Sequence, residues 1–199
     1  MGLKRRGLTL IEMIITIAVL SIAVTMIVPS MNSTGVVRVQ SALRTIASDI
    51  ATAQTEAMAY QVRRGIWFGV VPMQASGETT FTSGNGYVVV EPTGSELTMA
   101  TLRDYMLYLP EDRTRPYARR FDGDSAFGGA VIAGATFDSG SALYFDELGG
   151  PLAALNGTTP GAGGVIRVEA LKFGRIYEVR VEAMTGRVEI VRIEDEGDD

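Results

Sequence analysis

An apolar run from Leu8 to Val28 is the feature that most constrains how this chain folds. Its one charged residue is Glu12. As a helix the run is about 31 Å long, which is enough to cross the hydrocarbon core of a bilayer. The basic cluster in front of it, at Lys4, Arg5 and Arg6, is expected to stay in the cytoplasm. The pattern predicts a single pass through the inner (cytoplasmic) membrane, with the N-terminus cytoplasmic and the rest of the chain periplasmic or otherwise extracytoplasmic.

Three ordinary interpretations of this run compete with a functional one. A cleaved secretory signal has a shorter apolar core and a small-x-small site, whereas the residues from Val28 to Ser33 offer no such site. A buried core helix accounts poorly for so many consecutive apolar residues beside a basic cluster. A plain signal anchor fits the length but leaves Glu12 unexplained, because a carboxylate within the span costs about 2.5–3.5 kcal/mol and usually marks a function.

The composition removes most kinds of chemistry. The chain has neither cysteine nor histidine, which excludes thiolate nucleophiles, Ser-His-Asp catalysis and histidine-ligated zinc or haem. Its formal net charge is -5, which argues against a general nucleic-acid binder. We assign no catalytic residue, no metal site, no cofactor and no small-molecule substrate, and we predict that the chain is not an enzyme.

The start of the apolar run resembles a known signal. The segment Gly7–Glu12, preceded by Arg5-Arg6, is similar to the class III signal of type IV prepilins and pseudopilins. In that family a prepilin peptidase cuts after the glycine and methylates the new amino terminus. The resemblance therefore implies cleavage between Gly7 and Leu8 and an N-methylated Leu8. Phenylalanine is commonest in the family where this chain has Leu8, so the pattern departs there.

Glu12 and Pro29 also match the family. Glu12 stands at the position of the family's glutamate, and Pro29 stands where many pilins have a proline that bends the helix. The resemblance implies that the Glu12 carboxylate of one subunit pairs with the amine of a neighbour, which would offset its desolvation in a filament. Glu12 is thus an expected assembly residue. The plainer interpretation is a polar residue tolerated in an anchor.

A second helical pattern follows a local weak point. Pro29 and the segment Asn32–Gly35 predict a bend or a frayed turn. One apolar stripe with helical spacing comes next, at Val39, Leu43, Ile46, Ile50, Ala53, Ala57 and Tyr60. The spacing predicts a stem that continues beyond the membrane and packs on a head domain. A coiled coil is the alternative, although so short a stripe beside a β-rich sequence more often packs on a sheet.

From residue 63 onwards the sequence has the pattern of strands. Apolar segments predict strands at 66–71, 87–90, 105–109 and 142–145, with turns at 77–80 and 83–86. Alternating apolar and charged residues predict strands at 165–170 and 177–183, followed by a tight turn at Thr185-Gly186 and a final strand from Val188. The head is expected to be a mostly antiparallel sheet system.

These elements predict a fold class and a division of the chain. The class is α+β, with a long N-terminal hydrophobic helical stem packed on a mostly antiparallel β-sheet head, as in pilins. The parts are a basic leader (1–7), a transmembrane and assembly helix (8–28), an amphipathic continuation of the stem (29–62), a β-rich periplasmic head (63–194) and an acidic tail (195–199). The pattern from Ala142 to Val188 is similar to the tail of H-type minor pseudopilins and FimT-type minor pilins.

A basic patch is the one further candidate site. It consists of Arg113, Arg115, Arg119 and Arg120, with Tyr117 and Phe121 among them. Arginine with aromatic residues suits DNA binding, which some minor pilins perform. The alternative is a solvated loop whose charge is neutralised by neighbouring acids, and we favour it on the charge footprint.

The sequence therefore predicts a structural minor pseudopilin of a type II secretion system, placed near the tip of a periplasmic pseudopilus. Its expected partners are prepilin peptidase, other pseudopilins or pilins and the inner membrane; a nucleic-acid partner is not expected. Two alternatives stay open. One is a minor type IV pilin for adhesion, motility or DNA uptake, and the other is a signal-anchored periplasmic binding domain.

Overall fold

The structure is a computed structural model. It describes residues 9–75, 78–94, 96–110, 112–123 and 126–193, and the side chains of residues 23–34, 74 and 75 are outside the description. The leader and the acidic tail, which the sequence places at 1–7 and 195–199, therefore lie outside the described residues.

Helix α1, Leu10–Tyr60, is the first element. It begins after the N-cap Thr9 and ends where Gln61 adopts a left-handed conformation, with φ 54°. The second half of α1 buries one stripe of apolar side chains on the head, namely Val39, Ala42, Leu43, Ile46, Ile50, Ala53 and Ala57. The predicted packing stripe is confirmed, except that Tyr60 is 67% exposed because the helix ends there.

Gly35 does not end the helix, although the sequence predicts a weak point there. Helix α1 is continuous through residues 32–35. A Cβ added to Gly35 would lie 2.3 Å from the Phe173 Cζ atom, so the glycine gives the ring room to pack on the helix backbone. Glycine disfavours a helix through its backbone entropy, and close packing against it compensates. A bend at Pro29 stays a prediction.

Within the residues that the structure describes, the head comprises eleven strands and a short helix. The elements are β1 Arg64–Ala75, β2 Glu78–Val90, α2 Leu102–Tyr105, β3 Tyr108–Leu109, β4 Asp112–Pro116, β5 Ala118–Arg120, β6 Ala130–Phe137, β7 Ala142–Phe145, β8 Pro151–Leu152, β9 Gly164–Ala170, β10 Arg175–Val181 and β11 Val188–Ile193. Strand pairing is antiparallel throughout the described residues. The predicted α+β class with mostly antiparallel sheets is confirmed.

The strands form two main sheets that share one core with α1. The five-stranded sheet has the order β5-β2-β1-β7-β8, and the four-stranded sheet has the order β11-β10-β9-β6. Strands β3 and β4 form a separate small ribbon. The core contains Ile46 and Ile50 from α1, Phe68 from the first sheet, and Ile166 and Val179 from the second. Helix and sheets therefore stabilise one another through shared apolar contacts.

Three local predictions for the head are wrong. The predicted turn at 77–80 is misplaced, because residues 78–80 already belong to β2. The predicted turn at 83–86 lies inside β2, where the register jumps from Phe68↔Tyr87 to Val70↔Ser83 and forms a bulge. Gly86 serves close approach there rather than a turn, since its Cβ would lie 2.1 Å from the Arg119 carbonyl oxygen. The predicted strand at 105–109 is split between the end of α2 and the two-residue β3, because Tyr105 and Met106 pack in one apolar cluster whereas Leu107 and Leu109 pack in the main core.

The C-terminal hairpins follow the sequence closely. Strands β9, β10 and β11 pair in the predicted order, with Tyr177 opposite Val168 on one side and opposite Arg192 on the other. At the predicted tight turn, the Gly186 N–H donates to the Glu182 carbonyl, and Gly186 has a φ of 65°. Strict alternation of apolar and charged residues makes this region readable, because one face is buried and the other solvated.

Candidate assembly site and basic surface

The predicted assembly residue Glu12 lies in the first turn of α1. Its backbone N–H donates to the Thr9 Oγ1 atom at 3.3 Å, and the Thr9 N–H donates to the Glu12 carboxylate at 3.4 Å. The two residues form a capping box, which satisfies backbone donors that have no partner at a helix start. Glu12 is thus an exposed carboxylate held at the N-terminal end of the helix, beside the place where the predicted cleavage would create an amine.

The N-terminal part of α1 finds no cover within the described chain. Its large apolar side chains are 54–78% exposed: Leu10, Ile11, Met13, Ile14, Ile15, Ile17, Val19, Leu20 and Ile22. Exposed apolar surface on this scale marks a site of contact with protein or lipid. Two hydroxyls in the same segment are satisfied locally, since Thr16 and Ser21 donate to the carbonyls of Met13 and Ile17. They leave the outer surface of this segment apolar.

The other predicted N-terminal sites are less fully described. Gly7 and Leu8 lie outside the described residues, and Pro29 is within α1 without a described side chain. Over the part of the chain given with its side chains, which omits 23–34, no helix combines the length and the apolar character needed to cross a membrane.

A buried carboxylate that the sequence analysis missed joins α1 to the head. Asp49 is 4% exposed, and it accepts hydrogen bonds from the hydroxyls of Tyr87 at 2.7 Å and Tyr117 at 3.0 Å. The Arg119 Nε–H donates to the same carboxylate at 2.9 Å. The Arg119 guanidinium also lies 5.6 Å from the centroid of the Tyr117 ring. Asp49 therefore connects the helix to strands β2 and β5 and to the residue between β4 and β5.

Burial and the Asp49 charge change the chemistry of the tyrosines. Burial first, and then the neighbouring carboxylate, raise the pKa of Tyr87 well above its ordinary value, and the same causes raise the pKa of Tyr117. Burial alone raises the pKa of Tyr144 to about 12. All three hydroxyls stay protonated at pH values where an exposed tyrosine ionises, and those of Tyr87 and Tyr117 continue to donate to Asp49.

We predict a loss of stability above about pH 10, the ordinary tyrosine pKa. The folded-state pKa values of Tyr87, Tyr117 and Tyr144 exceed that value, so the unfolded chain releases these protons first and folding weakens as pH rises. Tyrosinate absorbance should show a group of the seven tyrosines ionising only as circular dichroism reports unfolding. Tyr87→Phe should shrink that late group. Ionisation of all tyrosines while the fold persists would contradict the prediction.

The predicted basic patch is divided between two grooves. Arg115 and Arg120 are exposed and line one groove of about 670 Å³, together with Arg119 and Asp122. Arg113 is also exposed, but it lines a different groove beside Tyr60. The predicted solvated loop is wrong as structure, because these residues form β4 and β5. Arg119 forms an ion pair with Asp49, so its charge is already neutralised and is not available to a ligand at the surface.

Arg64 forms a second polar node that the sequence did not single out. It is 5% exposed, and its guanidinium pairs with Glu56 of α1 and with Glu91 after β2. The Arg64 guanidinium also lies 5.7 Å from the centroid of the Tyr60 ring. A buried arginine requires such partners, because an unpaired buried charge is costly. Together with Asp49, this node fixes the last turns of α1 on the head.

The loop carboxylates support backbone turns. The Asp146 Oδ1 atom accepts from the N–H groups of Leu148 and Gly150, and the Asp138 Oδ2 atom accepts from the Ala162 N–H. Asp122 accepts from the Asn85 side chain at 3.0 Å. Among the described residues, no group of three or more acidic side chains is arranged to hold a metal ion.

Comparison with known proteins gives one match. The family described as the prokaryotic N-terminal methylation motif matches residues 2–28. No curated protein and no solved structure matches the chain. The motif indicates a type IV pilin-like or pseudopilin-like precursor that prepilin peptidase processes, and its residues include the segment Gly7–Glu12 on which the resemblance rests.

Proposed function

We propose that this chain is a minor pseudopilin of a type II secretion system, a structural subunit that assembles through its N-terminal helix. One observation carries the proposal. Within the residues that match the methylation motif, α1 presents Glu12 in its first turn and a row of large apolar side chains that the described residues leave uncovered. Before assembly this apolar surface contacts lipid, and after assembly it packs against the helices of neighbouring subunits.

The sequence of events follows from charge and polarity. The basic leader holds the N-terminus in the cytoplasm while the apolar run from Leu8 to Val28 enters the inner membrane. Cleavage after Gly7 removes the leader cations and creates an amine on Leu8, next to the capping box of Thr9 and Glu12. In the filament, the Glu12 carboxylate pairs with the amine of a neighbouring subunit. That ion pair favours a fixed axial register between the two helices.

A structural role, rather than an enzymatic one, is supported by how the head uses its polar groups. The buried Asp49 and Arg64 attach the head to α1, and the loop acids Asp138 and Asp146 hold backbone turns. With neither histidine nor cysteine in the chain, little is left for acid–base or nucleophilic chemistry. We therefore assign the head to contacts with other subunits, near the tip of the pseudopilus.

The second candidate function is that of a minor type IV pilin. The exposed side chains of Arg115 and Arg120 support this alternative. Both line the same groove, and two exposed arginines suit phosphate contacts in DNA uptake. Arg119 is the wrong residue for testing that alternative, because its loss would also disturb Asp49. A double change of Arg115 and Arg120 to glutamine leaves the Asp49 contacts intact.

The test is deletion of the chain in its own host, with protein secretion, pilus-dependent motility and DNA uptake measured side by side. Loss of secretion alone supports the proposal. Loss of motility or DNA uptake with normal secretion would assign the chain to a pilus. If DNA uptake is the activity lost, restoring the chain with Arg115→Gln and Arg120→Gln distinguishes direct DNA binding, where uptake stays low, from a purely structural role.

A further inference from the structure

The turn between β9 and β10 is an exposed tip at one end of the four-stranded sheet. It comprises residues 171–174; Leu171 is 67% exposed, and Lys172 is exposed beside it. The Phe173 N–H donates to the Ala170 carbonyl at 2.8 Å, and Gly174 has a φ of 57°, so the turn is closed by its own backbone. Leu171 and Lys172 are therefore held at the outermost point of the hairpin.

Contacts with α1 fix the direction in which this tip points. At the tip end of the sheet, the Phe173 ring packs on Gly35 of α1. At the opposite end, the Gln54 side chain donates to the Thr185 carbonyl at 2.7 Å in the turn between β10 and β11. The strands therefore run along the helix, and the tip points toward its apolar N-terminal part.

The helix also gives the height of the tip above the apolar run. From Val28, where that run ends, to Gly35 the helix rises about 10 Å. The headgroup zone of a bilayer extends about 5–7 Å beyond the hydrocarbon on each side. Gly35 therefore stands about 3–5 Å above the headgroup zone, and the tip side chains, at the same end of the sheet, are long enough to extend down to it.

We propose that this tip is a second membrane contact, in which Leu171 enters the lipid interface and Lys172 binds the phosphate of an anionic phospholipid. The inference rests on the proposed function, because it requires α1 to be inserted with its boundary near Val28. Lys172 is the one lysine outside the leader, and basic side chains at this level are attracted to anionic headgroups. Val37 and Arg38 of α1 are also exposed at about this height along the helix.

Leu171 is not the only exposed apolar side chain in a turn of this sheet, so a second such residue serves as a matched control. Met184, in the turn at the opposite end of the same sheet, is 73% exposed. From Gly35 to Gln54, which mark the two ends, the helix rises about 28 Å, so Met184 is held far from the lipid. Position along α1, rather than apolar exposure, is what separates the two turns.

The experiment uses the absence of cysteine in the chain. The full chain is prepared as three single variants, Leu171→Cys, Met184→Cys and Val19→Cys, each labelled with an environment-sensitive fluorophore. They are inserted at low density into vesicles of phosphatidylethanolamine and phosphatidylglycerol that carry headgroup or acyl-chain spin labels. We expect headgroup quenching at position 171, acyl-chain quenching at position 19 and no quenching at position 184. Adding Lys172→Glu should lower the membrane-touching population of the tip by about fivefold or more, the factor expected from losing one basic contact at an anionic surface.

The outcomes separate this proposal from the function on which it rests. Quenching at position 19 without quenching at position 171 would overturn the tip contact and leave the proposed function standing. Lack of quenching at both positions would overturn both. If quenching at position 171 disappears when the ratio of protein to lipid is lowered, the tip position depends on contact with a second copy of the chain, and the lipid contact is wrong. Unchanged quenching with Lys172→Glu would overturn the role of the lysine.

Discussion

Asp49→Ala is expected to lower the free energy of unfolding by about 3 kcal/mol, the low end of the 3–5 kcal/mol that follows removal of one partner from a buried ion pair. The low end applies because the Arg119 side chain remains 31% exposed and can recover part of its hydration. The Tyr87 hydroxyl cannot be hydrated in the same way. It sits on a fully buried residue and would lose its acceptor in the apolar core.

Urea unfolding of the full chain in detergent, followed by the fluorescence of its one tryptophan, Trp67, measures this effect. With a slope of about 2 kcal/mol per molar urea, the midpoint should fall by about 1.5 M. Asp49→Asn keeps an acceptor for the tyrosines and should lie between wild type and Asp49→Ala. Asp104→Ala removes an exposed carboxylate from α2 and should change stability by less than about 1 kcal/mol. Equal midpoints for Asp49→Ala and Asp104→Ala would refute the role given to the buried network.

Glu12→Leu is expected to leave processing intact but to reduce incorporation into filaments by about tenfold or more. The leucine suits the apolar run, so insertion should improve. What disappears is the carboxylate that pairs with a neighbour's amine, and about 1.4 kcal/mol of lost pairing already gives a tenfold change. The measurement is the fraction of processed chain that cross-links to partner subunits in the native host.

Thr16→Leu is the matched control for Glu12→Leu, because it makes the same kind of replacement in the same helix. The Thr16 hydroxyl already donates within the helix to the Met13 carbonyl, so its replacement removes no charge that could pair with a neighbour's amine. We expect Thr16→Leu to cross-link as wild type does. If Glu12→Leu also assembles at the wild-type level, the assembly role of Glu12 is wrong.

The sequence predicts those parts of the fold in which apolar residues recur at regular spacing. The stripe from Val39 to Ala57 and the alternation in β9 and β10 each give one buried face, and the structure buries those faces. Periodicity reports only local order. The sequence predicts a loop for the arginines of β4 and β5, because strands of five and three residues are too short and too charged to show alternation.

Asp49 shows what periodicity cannot reveal. In sequence it is one of several polar residues beside an apolar stripe, and such residues are usually solvated. Its partners Tyr87, Tyr117 and Arg119 lie 38, 68 and 70 residues further along the chain, so their convergence depends on the final packing of β2 and β5 against α1. The N-terminal signal was readable for the opposite reason, since all of its residues lie within one short segment.

The most direct test of the central claim is the intact mass of the membrane-extracted chain, produced with and without prepilin peptidase. If the chain is a prepilin-like precursor, residues Met1 to Gly7 are lost and one methyl group is added to Leu8, and only when the peptidase is present. A chain that keeps Met1 in both samples would contradict this prediction, and a plain membrane-anchored domain would then explain the apolar N-terminus better.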